Sequence, residues 1–286
     1  MNFLNSLKKR SKFYDSPFDH WELNKPLTED SIREICNTEI IDLNKAKLKN
    51  NEVVTAISGN LSSEMIDFLG PLGFDSVWIE CEHGGVTWEQ LGDMTRACDL
   101  WGMTPITRVN SNEPWLITRT LDRGSMGIVT PHINTSGDAE KAMQSSKYAP
   151  LGYRGMFGGR QSYGVPDYFH QANEQTMVVV LLEEAEALRN LESILKVDYI
   201  DVFFVAPSDL AQTMGHTGDP NHPEVQRALE KAIELIVSAG RTAGTLVNDE
   251  NASKYIDLGT RFLLTSFNSW LSKGSTDFID KVSNRP

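Results

Sequence analysis

Eight short apolar runs, each separated from the next by a turn and an amphipathic stretch, constrain the fold of this chain more than any other feature. They lie at residues 53–57, 76–79, 104–109, 126–130, 177–182, 200–205, 242–247 and 261–265. β-Branched and aromatic residues crowd these runs, the pattern of strands buried on both faces. Strand, turn and helix in repeating order imply parallel strands with crossover helices. The stretch 223–240 shows the helical half of the unit. Val225, Leu229, Ala232, Ile233 and Ile236 share one helical face, and Gly240 supplies a stop. Eight such units predict an α/β protein, a (β/α)8 TIM barrel of roughly 250 residues. The barrel is placed at 49–286, with residues 1–48 as an N-terminal extension.

The extension is polar, mixed in charge and weakly periodic. Lys8, Lys9, Arg10 and Trp21 read either as a nucleic-acid arm or partner anchor, or as ordinary surface of a segment beside the domain. Net charge decides against nucleic acid and anionic membranes: 39 acids outweigh 27 bases, leaving −12. No apolar stretch approaches the roughly 20 residues of a membrane span. The basic N-terminus lacks the apolar segment of a secretory signal. Cys36, Cys81 and Cys98 make an odd count without metal-type spacing, which suits a reducing compartment. The expectation is a soluble, cytoplasmic protein.

In a barrel of this kind, chemistry resides at strand C-termini and in the loops that follow. That filter selects Glu80, Glu82 and His83 after the second run, and Arg108 at the end of the third. It adds His132 after the fourth, Glu183 and Glu184 after the fifth, and Pro207, Ser208 and Asp209 after the sixth. Neighbouring strands stand about 4.8 Å apart, so Glu183 and Asp209 at adjacent strand ends are able to share a divalent cation. Both also precede helix-like stretches, where an acid is stabilised by the helix dipole alone. Arg108 cannot shed its proton and must be paired. It reads as a salt-bridge partner of Glu80 or Glu82, or as a fork for a substrate carboxylate or oxyanion. His83 has two acids within reach to orient its ring for proton transfer. His132 follows a strand end and is able to line the same site. Glu184 reads as a helix-cap or solvent residue. No lysine ends any of the eight runs, which disfavours a Schiff-base mechanism. No His-x-His follows the first run, so an amidohydrolase-type zinc centre is unsupported. The glycine-rich 155–160 lacks the Gly-Lys-Ser/Thr ending of a phosphate loop, but its place in the long gap between the fourth and fifth runs marks a functional loop.

From about residue 53 to 271 the chain resembles the HpcH/HpaI family of metal-dependent 2-oxo acid aldolases. The resemblance rests on linked motifs in order: 77–84 around Glu80 and His83, 106–110 around Arg108, 119–124, 127–135, 148–155, 204–215 around Asp209, and 243–247. It implies a barrel of the phosphoenolpyruvate/pyruvate type whose last helix is exchanged between subunits of a homohexamer. It further implies that Glu183 and Asp209 hold Mg²⁺ or Mn²⁺, with Co²⁺ an alternative, and that no organic cofactor takes part. Backbone N–H groups around Ser208 and Asp209, next to Pro207 at the substrate site, would hold a pyruvate carboxylate, and Arg108 would stabilise the enolate oxygen. His83, oriented by an acid such as Glu80, would move the proton on the aldehyde-derived oxygen. The expected activity is reversible cleavage of a 4-hydroxy-2-oxo acid to pyruvate, or a close 2-oxo acid, and an aldehyde. Oxaloacetate decarboxylation coupled to carbon–carbon bond formation is the alternative, and a non-catalytic 2-oxo acid binding barrel a further one. Two positions depart from the family pattern: Glu80 stands where aspartate is common, and Leu181 where glutamine is common.

Overall fold

The computed structural model describes residues 11–14, 20–23 and 43–283. The chain divides into two compact units, Met1–Ile41 and Asp42–Pro286. In the first, β1 (Ser11–Tyr14) and β2 (His20–Leu23) pair antiparallel. Lys8, Lys9 and Arg10 lie outside the described residues.

The second unit is a closed barrel of eight parallel strands, as the eight runs predict. They are β3 (Val54–Ser58), β4 (Ser76–Glu80), β5 (Thr104–Arg108), β6 (Gly127–Thr130), β7 (Met177–Leu182), β8 (Val202–Val205), β9 (Ala243–Leu246) and β10 (Phe262–Ser266). β10 closes the ring on β3. Period-two alternation divides each strand between two cores. Val54, Ala56, Trp78, Ile106, Val129, Val179, Leu181, Phe204 and Phe262 fill the barrel interior. The alternate residues of β7 and β8, such as Val178, Val180, Phe203 and Val205, pack outward against helices.

The crossover helices follow the same logic. The helix Pro223–Ser238 buries Val225, Leu229, Ala232, Ile233 and Ile236, the face its periodicity predicts. Gly240, at φ 70°, ends it in the left-handed conformation that glycine adopts without a Cβ clash. The long connection between β6 and β7 contains two helices, Ser136–Ser146 and Tyr168–Gln175, with a loop between them. Arg154 anchors that loop through Asp122 (2.9 Å) and lies over the Tyr148 ring.

A short helix precedes the first barrel strand and stands outside the repeat. α1 (Leu43–Lys49), counted with the extension on sequence grounds, lies in the barrel unit. Asn44 bonds the Ser76 hydroxyl, Lys45 bonds Asp201 (3.0 Å) and the Thr176 carbonyl, and Lys47 pairs with Asp75. These partners sit at or just before the first residues of β4, β7 and β8, so α1 seals the end of the barrel opposite the strand C-termini. Among the described residues no helix is long and apolar enough to cross a membrane.

Candidate active site

The alternation that builds the barrel core also aims the site. Trp78, Ile106, Leu181 and Phe204 point inward, so the residues two places on turn the same way. At the C-terminal mouth those are Glu80, Arg108, Glu183 and Ala206. The register sets Glu80 directly beside Arg108.

Arg108 meets both acids that compete for it. Its Nε lies 2.6 Å from Glu80 and its Nη1 2.9 Å from Glu82. Glu80 also accepts the backbone N–H groups of Glu82 (2.7 Å) and His83 (3.1 Å), which folds the loop after β4 back over the strand end. The His83 ring is not oriented by Glu80; the acid near it is Glu82, at 3.7 Å. The side chain is 70% exposed and lines a cavity at the strand C-termini together with Glu80.

Glu183 is 1% exposed. Beneath it Leu181 belongs to the apolar interior. Burial raises the Glu183 carboxyl to about 7; the His132 N–H and ring oppose the rise, and Glu82 and Asp209 add to it. Asp209 is half-buried in the first turn of the helix Pro207–Thr213, next to exposed Ser208.

His132 links the two sides. Its backbone N–H donates to Glu183 (2.8 Å), Nδ1 pairs with Glu184 (2.8 Å), and Nε2 faces Glu82 (3.3 Å). This bonding holds the residue at φ 54°, where side chains are uncommon. Burial by itself would lower the His132 pKa, but Glu183, Glu184 and Glu82 outweigh it and hold it above the ordinary value. Glu184, expected to serve the helix cap or solvent, instead turns its carboxylate to His132; it occupies the N-cap position of Ala185–Arg189 without making a cap hydrogen bond. A histidine and a glutamate at successive strand ends were the sequence signal for this contact, but only barrel closure brings 132 and 184 together.

The donor set suits a hard cation. Four carboxylates, from Glu80, Glu82, Glu183 and Glu184, surround Arg108 and His132, and Asp209 adds its charge beside Glu183. A buried carboxylate in such surroundings is stabilised by a divalent ion with oxygen ligands. Elsewhere, His216, His222 and Glu224 bring ligand-type atoms within 4.8 Å of one another. Their imidazoles stack nearly parallel at 3.5 Å, so an ion at bonding distance in the plane of one ring lies well out of the plane of the other, and His222 Nδ1 already accepts the Glu224 N–H.

A family model described as HpcH/HpaI aldolase/citrate lyase matches residues 58–271. The chain belongs to that family. It is 36% identical to the 4-hydroxy-2-oxo-heptane-1,7-dioate aldolase of Klebsiella pneumoniae over 74% of this chain and 82% of that protein. The enzyme of the same name from Shigella flexneri is 34% identical over 75% and 81%. A solved HpcH/HpaI aldolase/citrate lyase family protein from Burkholderia cenocepacia superposes with a TM-score of 0.79 at 29% identity, covering 85% of this chain and 100% of that one. Macrophomate synthase, at 20% identity and a TM-score of 0.71 over 84% of this chain and 86% of that one, shares the fold.

Proposed function

We propose that this lyase is a divalent-metal-dependent class II aldolase that cleaves 4-hydroxy-2-oxo acids reversibly to pyruvate, or a close 2-oxo acid, and an aldehyde. The observation that carries the reading is Glu183, an inward-facing carboxylate 1% exposed, close enough to Asp209 to feel its charge and one strand removed from the strand that ends in Arg108. Glu183 and Asp209 would hold Mg²⁺ or Mn²⁺, and two protein carboxylates leave positions for water and substrate, as is usual for Mg²⁺. When bound, the ion supplies electrophilic stabilisation of the charge that develops on the 2-oxo acid. Arg108 is held at the site by Glu80 and Glu82, ready to face a developing enolate oxygen. Backbone N–H groups around Ser208 and Asp209 would receive the substrate carboxylate. His83, exposed at the mouth near Glu82, is assigned the proton on the aldehyde-derived oxygen. His132 positions Glu183 through its backbone N–H and balances the surrounding acids with its ring.

The test is pyruvate release from 4-hydroxy-2-oxo-heptane-1,7-dioate and from shorter 4-hydroxy-2-oxo acids, before and after chelation. Turnover should vanish in EDTA and return with Mg²⁺, Mn²⁺ or Co²⁺. Undiminished turnover after confirmed metal removal would sink the assignment.

A further inference from the structure

A cavity of about 760 Å³ opens at the C-terminal ends of β10, β3 and β4, and neither Glu183 nor Asp209 lines it. It reaches Glu80 and His83, so it begins where the proposed chemistry ends. Two hydroxyls, Ser58 and Ser266, stand side by side at its base. They are register partners on adjacent strands. Both follow the parity of inward-facing Ala56 and Leu264.

Their hydrogen bonds leave complementary capacity. Ser58 Oγ donates to the Thr265 carbonyl (3.2 Å), so its lone pairs are left to accept. Ser266 Oγ accepts the Asn268 N–H (3.3 Å), so its own O–H is left to donate. One acceptor beside one donor suits a hydroxyl group, which needs both.

The charge lining is one-sided. Glu64 and Asp93 face the cavity, and among the described residues no lysine or arginine lines it. Arg96 comes only to 4.0 Å of Asp93, where both side chains are more than half exposed. Arg108 is engaged by Glu80 and Glu82. A carboxylate at the remote end of an aldehyde would therefore meet like charge. Cleavage of a 4-hydroxy-2-oxo-heptane-1,7-dioate leaves such an aldehyde, 4-oxobutanoate, which retains the C7 carboxylate.

We propose that the acceptor aldehyde of this enzyme is uncharged and hydroxylated, held through its hydroxyls by Ser58 and Ser266, and that Glu64 and Asp93 disfavour acceptors ending in a carboxylate. The proposal rests on the aldolase reading above, and the experiment separates the two. Exchange of the pyruvate methyl protons in D2O, with Mn²⁺ and no aldehyde, reports enolate formation alone. Absence of exchange overturns the aldolase reading and this proposal with it. Given exchange, kcat/KM is measured in the condensation direction with pyruvate and D-glyceraldehyde, propanal or 4-oxobutanoate.

Glyceraldehyde should exceed propanal by about tenfold, the scale of a hydrogen bond made, and 4-oxobutanoate severalfold at low ionic strength, because Glu64 and Asp93 are exposed and salt screens their repulsion. In Ser58→Ala/Ser266→Ala the glyceraldehyde-to-propanal ratio should fall toward one. In Glu64→Gln/Asp93→Asn the 4-oxobutanoate-to-glyceraldehyde ratio should rise severalfold. A wild-type preference for 4-oxobutanoate, or a glyceraldehyde-to-propanal ratio near one, overturns the proposal without touching the enolate result. Ratios unchanged in both variants overturn the residue assignment.

Discussion

Glu183→Gln should stabilise the metal-free protein above pH 7 while removing its stabilisation by divalent metal. Glutamine keeps the volume of the side chain and an oxygen for the His132 N–H. What it removes is a buried negative charge. The carboxyl rises from 4.5 to about 7 on folding. At about 1.4 kcal/mol for each unit, ionised Glu183 opposes folding by about 3 kcal/mol. The sign follows from the raised value. Between pH 4.5 and about 7 the folded state binds more protons than the unfolded one, so wild-type stability falls as pH rises through that window. Below 4.5 both states are protonated and the penalty is gone. His132, also raised, adds a loss of the same sign. For a barrel of this size, about 3 kcal/mol corresponds to roughly 6–12 °C in Tm. Thermal melts in EDTA at pH 4.5 to 8 should therefore show Glu183→Gln well above wild type at pH 8, with the two converging toward pH 4.5. Adding Mn²⁺ at about 100 times its Kd should stabilise wild type by about 2.7 kcal/mol and the variant far less. The reasoning fails if the variant is no more stable than wild type in EDTA at pH 8, or if the gap does not narrow on acidification.

Arg108→Ala should depress aldol cleavage and oxaloacetate decarboxylation alike by roughly 10²- to 10³-fold, because both would draw on the same oxyanion contact; a loss confined to one reaction would contradict the assignment. His83→Ala should impair aldol cleavage more than decarboxylation, since only the former moves a proton on the aldehyde-derived oxygen. Equal impairment, with metal content confirmed, would move His83 to loop organisation. The C-terminal helix (Phe267–Ser283) has no buried residue and exposes Leu271, Phe278, Ile279 and Val282. The chain should therefore be a multimer, with a hexamer the expected state, and Phe278→Glu should weaken it; a 32 kDa monomer by light scattering at micromolar concentration would refute this.

Much of the site was legible because one periodicity governs both core and mouth. The alternation that buries Ile106 and Leu181 also turns Arg108 and Glu183 inward, and strand order follows directly from the order of the eight runs. The face of the helix Pro223–Ser238 was readable for the same reason, since local spacing sets it whatever lies opposite. The contacts among loops were not readable. His132 meets Glu184, 52 positions away, and Glu82, 50 positions away, only because the barrel closes and His132 takes a left-handed backbone. Whether His83 would lean on Glu80 or Glu82 depended on the loop after β4, where Glu80 spends one oxygen on backbone N–H groups. The polar α1 gave no periodic signal, because what holds it is a set of ion pairs and hydrogen bonds to strand beginnings more than 25 residues away. Sequence determined the barrel and which residues reach its mouth. Tertiary structure decided which of those residues touch, because side-chain partnership there is set by loops converging in space and not by spacing along the chain.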